Sequence, residues 1–315
     1  MPKSSRIALG LGTMYIAWGT TYIGIALTIE TMPDLLAMGL RFATASLVMF
    51  LVSGIRSGFA QFRITRRQLR NTIFLGTTMN AVGIGTVSAS EHVVPVGVTS
   101  LMIASMPLWT VVLRTINHDR PRARTFVGVA VGFIGLLIIM RPGQTLSRDG
   151  ASTEKVLLWL CVLLVGNFLW SFGSFVTPRL DLPTRIPVLT SYQLLSASVA
   201  LVGAGLVSGQ SLSSFTQASG RSWFGWWYLV SVGTLLGLSV YVWLLNNAPI
   251  SLVSTYSYVN PVVATALAWL VYDEPVTVSM WTGGSLVIIA VATIAWSERV
   301  RATASDVSPL TVETN

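Results

Sequence analysis

The sequence predicts an all-α integral membrane protein with ten transmembrane helices, arranged as two inverted five-helix repeats. The membrane class follows from composition: 52% of the 315 side chains are hydrophobic and only 10% are charged, whereas a soluble domain has about a quarter of its residues charged. The two-repeat arrangement follows from an internal repeat described below. The single cysteine, Cys161, excludes an intramolecular disulfide and a multi-cysteine metal site.

Apolar stretches of membrane-spanning length recur ten times along the chain. A bilayer core about 30 Å thick requires about 20 apolar residues of α-helix, because a spanning segment must satisfy its own backbone hydrogen bonds. We predict helices over residues 7–28, 34–54, 70–90, 95–116, 124–140, 156–177, 187–207, 223–245, 251–271 and 278–297.

The positive charges predict the orientation, because cytoplasmic loops retain Lys and Arg. With the N-terminus inside, fifteen of the twenty basic residues fall on the inner side and four on the outer side, while Arg41 lies within a span. Both termini are therefore predicted to be cytoplasmic, with a disordered cytoplasmic tail over 302–315. The net charge of +8 is then a topology signal and an attraction to anionic lipid, so we expect no nucleic-acid partner.

The chain repeats itself with a shift of 154 residues. This shift superposes Pro33 on Pro187, Pro95 on Pro249 and Pro107 on Pro261, and Trp18 matches Trp170 at a shift of 152. The predicted repeats are residues 1–142 and 155–297. Five helices per copy is an odd number, so the second copy must cross the membrane in the opposite sense, which is the architecture of many secondary transporters.

A set of short motifs follows the same order as in a known family. The motifs are Trp18-Gly19-Thr20-Thr21-Tyr22, Arg41-Phe42, Ser90-Glu91-His92-Val93-Val94-Pro95-Val96-Gly97, Met106-Pro107-Leu108, Trp170-Ser171-Phe172-Gly173-Ser174 and Ser257-Tyr258-Val259-Asn260-Pro261-Val262-Val263. With these motifs, the chain resembles the EamA family of the drug/metabolite transporter superfamily over residues 7–297. In one departure, Arg120 stands where many relatives have a glutamate that Glu274 matches in the second copy.

The resemblance implies a ten-helix fold with a central cavity and a location in the bacterial inner membrane. The implied function is export of small metabolites or drugs. It implies a small-molecule substrate and the lipid bilayer as partners. No cofactor is expected, and a homodimer is possible through Gly-x-x-x-Gly pairs. The residues themselves contain no His-Glu-x-x-His, phosphate-loop or nucleophile-elbow motif, so we expect no catalytic residue, no metal site and no enzyme.

The candidate substrate-binding residues are polar or aromatic groups near the middle of spans. Trp18 and Tyr22 share a face of helix 1 with Tyr15, and Trp170 shares a face of helix 6 with Asn167, Ser171 and Ser174. Such a face either joins helices by buried hydrogen bonds or forms a cavity wall. The remaining candidates are Asn80, Ser254 and Tyr258, and we expect the cavity between helices 1, 3, 4, 6, 8 and 9.

Two prolines and three ionisable residues form a second group of candidates. Pro107 and Pro261 free a backbone carbonyl inside helices 4 and 9, which predicts hinges. Arg41 lies within helix 2 and requires a partner or water, and Glu91 is the nearest predicted partner. His92 adjoins it and can titrate near neutral pH. The pair is either structural or an electrostatic gate at the outer mouth.

These observations lead to one expected function and one alternative. The chain is expected to be a secondary transporter that exports small organic solutes by alternating access, and the alternative is a non-transporting membrane sensor or assembly subunit. Coupling stays open between facilitated diffusion, exchange and proton antiport through Glu91 and His92. No span carries a central Asp or Glu, which disfavours a proton relay in the middle of the membrane.

Overall fold

The computed structural model of the protein describes residues 3–117, 123–141, 147–148, 150–248, 253 and 255–307, and every regular element within them is helical. The α-helices are α1 (Lys3–Gly19), α2 (Thr21–Ile29), α3 (Asp34–Ser57), α4 (Arg66–Leu75), α5 (Gly83–Ser90), α6 (Val96–Ile103), α7 (Met106–Ile116), α8 (Ala123–Ile139), α9 (Thr153–Val176), α10 (Ile186–Val207), α11 (Gly220–Tyr228), α12 (Gly237–Asn247), α13 (Tyr256–Tyr272) and α14 (Val278–Val307). Two π-helical segments, Gly76–Val82 and Leu229–Leu236, connect α4 to α5 and α11 to α12.

Five helical stretches are long and apolar enough to cross a bilayer. They are Asp34–Ser57, Val96–Ile116, Thr153–Arg179, Ile186–Val207 and Gly220–Tyr241, and three shorter apolar helices accompany them. The surface fits this environment, since large apolar side chains are exposed along the helices, among them Val207 at 91% and Trp281 at 67%. Exposed apolar surface of this extent is stable against lipid rather than water.

Four predicted spans differ from single continuous α-helices: 7–28, 70–90, 95–116 and 223–245. The last two contain the break between α6 and α7 and the second π segment, respectively. The span over 7–28 divides at Thr20, where Thr20 and Thr21 also donate side-chain hydrogen bonds to the carbonyls of Ile16 and Ala17. The span over 70–90 contains the first π segment. At the C-terminus, α14 continues to Val307, and residues 308–315 of the predicted tail lie outside the described residues.

Helix ends follow local capping chemistry. Thr65 and Gln68 form a reciprocal capping box at the start of α4, and Ser152 accepts a hydrogen bond from the Lys155 amide at the start of α9. Gly58 ends α3 at a φ of 80°, a conformation that glycine adopts without steric cost. These caps fix the loops, and hence which helix ends meet at each end of the bundle.

The contacts between helices form a pattern that stays the same when the first and second halves of the chain are exchanged. Helix α1 packs against α13 and α12, and the matching helix of the second half, α9, packs against α7 and α5. The pairs α3 with α10 and α8 with α14 each join a helix to its own counterpart. Every one of these contacts has a partner contact with the halves exchanged.

The same exchange relates two tryptophan–glycine contacts. Each π segment is followed directly by a glycine, Gly83 in the first half and Gly237 in the second. A methyl group added to Gly83 would come within 2.6 Å of Trp170 Cε3, and one added to Gly237 would overlap Trp18 Nε1. Each tryptophan therefore lies directly on the backbone of the opposite half, where only glycine leaves room.

We predict that Gly83→Ala and Gly237→Ala each destabilise the protein, because the added methyl group overpacks a tryptophan contact at a cost of about 1–3 kcal/mol. The measurement is the thermal unfolding midpoint of purified protein in detergent. Gly203→Ala is the matched control, since Gly203 is also helical and a Cβ there meets no atom within 4 Å. Equal midpoints for all three variants would contradict the close tryptophan contacts.

Candidate functional site

A cavity of about 270 Å³ lies between α7, α9, α13 and α14. Its walls include Pro107, Arg114, Trp170, Ser174 and Tyr256, and it is open rather than enclosed. The lining combines two aromatic rings, several hydroxyl groups and a guanidinium, which suits a small amphipathic solute. Of the sequence-predicted residues, Trp170 and Pro107 border this space.

A break between α6 and α7 shapes one wall of the cavity. The α-helix stops at Ile103 and resumes at Met106, so that Pro107 is the second residue of α7, where a missing backbone N–H is tolerated. Pro261 differs, because α13 runs through it without interruption. The predicted hinge at Pro107 therefore lies at a break between two α-helices. In the second half, the corresponding break lies near Thr255, before α13 begins.

Two side chains of α9 bond to the carbonyl groups at this break. Asn167 Nδ2 donates to Met102 O at 2.6 Å, and Ser171 Oγ donates to Met106 O at 3.0 Å. Asn167 is buried and joins helices, which is the packing interpretation of the helix 6 face. Ser171 does both, since it holds α7 and also borders the cavity.

An aromatic cluster adjoins the cavity on its other side. The Trp18 ring lies 5.1 Å from Tyr241 and 4.9 Å from Tyr256, measured between centroids. Tyr256 also borders the cavity with Trp170. It therefore lies between Trp18 and Trp170, the tryptophans at equivalent positions of the two repeats. Neither Tyr241 nor Tyr256 is among the sequence-predicted site residues, because the contact of both rings with Trp18 joins residues more than 200 positions apart.

The other predicted binding residues are placed less centrally. Tyr22 packs in the apolar core near the start of α2, and Asn80 is half-buried within the first π segment. Ser254 lies outside the described residues, and for Tyr258 only the backbone is described. Helices 4, 6 and 9 line the cavity, and helix 10 joins them through Ile294. Helices 1 and 8 reach it only through ring contacts with Tyr256, and none of the lining residues comes from helix 3, which was also expected there.

The expected pairing of Arg41 with Glu91 is wrong for the described conformation. Arg41 is buried, its Nε donates to Thr234 Oγ1 at 3.1 Å, and its guanidinium lies 5.2 Å from the Phe42 ring. Thr234 belongs to the second π segment and donates in turn to Leu229 O. The arginine therefore joins helix 2 to helix 8, because the widened π turn offers it a hydroxyl acceptor within reach.

A polar cluster, here named the clasp, connects the two halves at the end of the bundle away from the cavity. It consists of Glu30, Arg148, Arg221 and Tyr272. Tyr272 donates to Glu30 Oε1 at 2.8 Å, and Arg221 Nε lies 3.2 Å from the same oxygen. The Arg148 guanidinium covers the Tyr272 ring at 4.2 Å.

Glu274 ties the halves together beside the clasp. Its two carboxylate oxygens accept the backbone N–H groups of Val96 and Gly97 at 3.0 and 3.2 Å. These are the first amides of α6, so a carboxylate from the loop after α13 caps a helix of the first half. The arrangement gives Glu274 a structural role that its sequence position alone did not reveal.

Glu91 lies under the clasp, in the connection between α5 and α6. Its side chain is fully buried, and neither carboxylate oxygen has a hydrogen-bond partner among the residues that the structure describes. Arg148 Nη1 donates to its main-chain carbonyl at 3.2 Å. Burial raises the pKa of Glu91 well above its ordinary value, because the ionised carboxylate loses its hydration.

His92 faces outward next to this group. Its Nε2 lies 3.7 Å from Asp34 Oδ2, and Gln210 donates to the other oxygen of Asp34. The His92 side chain is 45% exposed, so it is a surface group that contacts α3 rather than a continuation of the buried Glu91 site.

Comparison with known proteins decides the family. The model of the EamA-like transporter family matches residues 6–141 and 157–296, which together cover most of the chain. The chain belongs to the EamA-like transporter family. This EamA-like protein is therefore a membrane transporter, a class that acts on small molecules within a lipid bilayer.

Relatives of this EamA-like protein carry consistent names. An uncharacterized inner membrane transporter of Escherichia coli (strain K12), YedA, is 30% identical over 90% of this chain and 89% of its own length. A probable amino-acid metabolite efflux pump of the same strain is 24% identical over 91% of this chain and 95% of its own. A protein of known crystal structure superposes with a TM-score of 0.62 at 17% identity, over 95% of this chain and all of that one, which shows a shared fold.

We predict that Glu274→Ala lowers the thermal unfolding midpoint of the EamA-like protein, because two α6 amides lose their acceptor, at a cost of about 0.5–2 kcal/mol. Glu154→Ala is the control, since Glu154 is an exposed glutamate near the start of α9. The interpretation of Glu274 as a helix cap is wrong if both variants unfold at the same temperature.

Proposed function

We propose that the protein is a plasma-membrane secondary transporter that exports small organic metabolites by alternating access between two inverted five-helix repeats. The repeats are residues 1–142 and 155–297, with both termini in the cytoplasm. The observation that carries the proposal is the exchange of helix contacts between the halves, together with a cavity that lies at one end of the bundle while the clasp closes the other.

The contact pattern supports alternating access for a mechanical reason. If the halves are inverted copies, each contact at one end has a counterpart at the other, and the two halves can exchange conformations. The cavity would then open at the end where α7 terminates, near Arg114, and the clasp would have to separate before a solute could leave at the opposite end. The concentration of basic loops on the predicted inner side agrees with export from the cytoplasm.

The cavity supports a metabolite-sized substrate. Its volume of about 270 Å³ is slightly below the usual range of about 300–1,000 Å³ for small-molecule sites. A solute about the size of an amino acid fits such a space better than a large drug does. The name of the related probable amino-acid metabolite efflux pump agrees with this size class. Arg114 would attract a carboxylate, and the rings of Trp170 and Tyr256 would contact an apolar or cationic part of the solute.

Inverted topology predicts that equivalent loops of the two repeats lie on opposite sides of the membrane. In a Cys161→Ser background, a cysteine in place of exposed Ser57, at the end of α3, should react with a membrane-impermeant thiol reagent only from the cytoplasm. A cysteine in place of exposed Thr216, in the equivalent loop after α10, should react only from outside. Labelling of both from the same side would contradict inversion, whatever the transport activity.

Transport predicts a specific role for Trp170. In proteoliposomes loaded with a panel of amino acids, we expect saturable efflux that falls about tenfold or more in Trp170→Ala, because the substrate loses an aromatic wall and stacking is worth about 1 kcal/mol or more. Trp281→Ala is the control, since Trp281 is 67% exposed on the lipid-facing surface. The absence of saturable flux of any amino acid, sugar or lipophilic cation would favour the sensor or assembly-subunit alternative.

A further inference from the structure

Two buried charged groups have unusual surroundings for a membrane protein: Arg41 and Glu91. Arg41 has a hydroxyl acceptor and an aromatic neighbour. Glu91 differs, because it is completely buried and, within the described part of the chain, both carboxylate oxygens lack a hydrogen-bond partner. A buried ionised carboxylate without a partner is strongly destabilised, whereas the protonated acid is nearly as easily buried as an amide.

The groups that face Glu91 do not neutralise it. Arg148 attracts the carboxylate and acts to lower its pKa, but less than burial raises it. Its guanidinium donates to the main-chain carbonyl of Glu91 and stacks on Tyr272. Glu274 adds a second negative charge, and Tyr22 faces the carboxylate from α2. The other charged or titratable groups on the elements around it are the adjoining His92; Asp34, Arg41 and Arg56 on α3; Glu30 at the end of α2; and Glu154 and Lys155 at the exposed start of α9.

We propose that Glu91 is a proton-binding site that couples closure of the clasp to proton uptake. Closure removes the carboxyl group from water, so the closed arrangement holds the proton, and separation of the clasp hydrates the group and releases it. Because Arg148 bonds the Glu91 main chain and covers Tyr272, a change in charge at position 91 acts directly on a member of the clasp.

The sign of the pH dependence follows from linkage. Burial raises the pKa of Glu91 in the closed arrangement above the value it has when hydrated. The closed arrangement therefore binds the proton more tightly, is favoured at acid pH, and loses that advantage as pH rises through the raised pKa. The inference rests on the proposed function only in assuming that the clasp separates, and its test requires no substrate.

The experiment measures access beneath the clasp with a membrane-impermeant thiol reagent. Thr99 is a fully buried residue one turn into α6, and Thr99→Cys in a Cys161→Ser background places a thiol there. Vesicles are oriented so that the clasp end faces the reagent. The exposed Thr216→Cys variant, on the same predicted side, corrects for the effect of pH on thiol reactivity itself.

We expect the labelling rate at position 99, relative to position 216, to rise about tenfold between about pH 5 and about pH 9. Glu91→Gln, a neutral side chain of the same size, should remove this rise and keep position 99 protected at every pH. An unchanged pH response in Glu91→Gln, or no pH response in the parent, overturns the proposal even if the protein transports solutes. A response that depends on Glu91 supports it even if no flux is found.

A second readout applies if a cysteine at position 99 prevents folding. Ser100→Cys offers a neighbouring buried position. In addition, the thermal unfolding midpoint of protein with the native Cys161 should fall with rising pH, and Glu91→Gln should flatten that fall. If the unfolding midpoint of Glu91→Gln depended on pH in the same way as that of the parent protein, Glu91 would not be the proton-binding site.

Discussion

The structure depends on one constraint: inside a bilayer, each backbone carbonyl released by a broken helix must find a donor within the protein. At the break between α6 and α7, two side chains of α9 donate to main-chain carbonyl groups, Asn167 to Met102 and Ser171 to Met106. These two residues share a face with Trp170, so the bonds that stabilise the break also fix the tryptophan against the cavity. Packing and the binding surface are therefore produced by the same side chains on one helix.

Aromatic contacts of Tyr256 connect the cavity to other helices of the bundle. Tyr256 borders the cavity and also contacts Trp18, whose indole lies on the glycine after the second π segment. A movement of α13 would shift Tyr256 relative to both tryptophans at once. The π segments contribute to this coupling, because their wider turns place Gly83 and Gly237 where a tryptophan of the opposite half can approach the backbone.

The sequence could predict the features that repeat along the chain. The repeat identified Pro107 at a shift of 154 residues and the pair Trp18 and Trp170 at a shift of 152. The apolar stretches located most helices to within a few residues. It could not predict which polar groups meet across long separations. The sequence predicted an ion pair of Arg41 with Glu91, because opposite charges can be read directly from a sequence. In the structure, Arg41 donates a hydrogen bond to Thr234, whose position depends on a π-helical turn that no local sequence pattern indicates. The clasp was missed for the same reason, since Arg148 and Tyr272 come from segments 124 residues apart.

The charged groups break the symmetry that the backbone suggests. At the shift of 154 residues, Glu91 corresponds to Leu245 and Arg41 to Leu195. Two copies that were alike in every residue would give the same free energy to closure at either end. Here the buried carboxyl group, the clasp and the Glu274 cap all lie at one end. If the two ends close alternately, as proposed, closure at that end differs in energy and in pH response from closure at the other. The divergence of the two copies at these few positions would then give transport a direction that the shared helical framework does not.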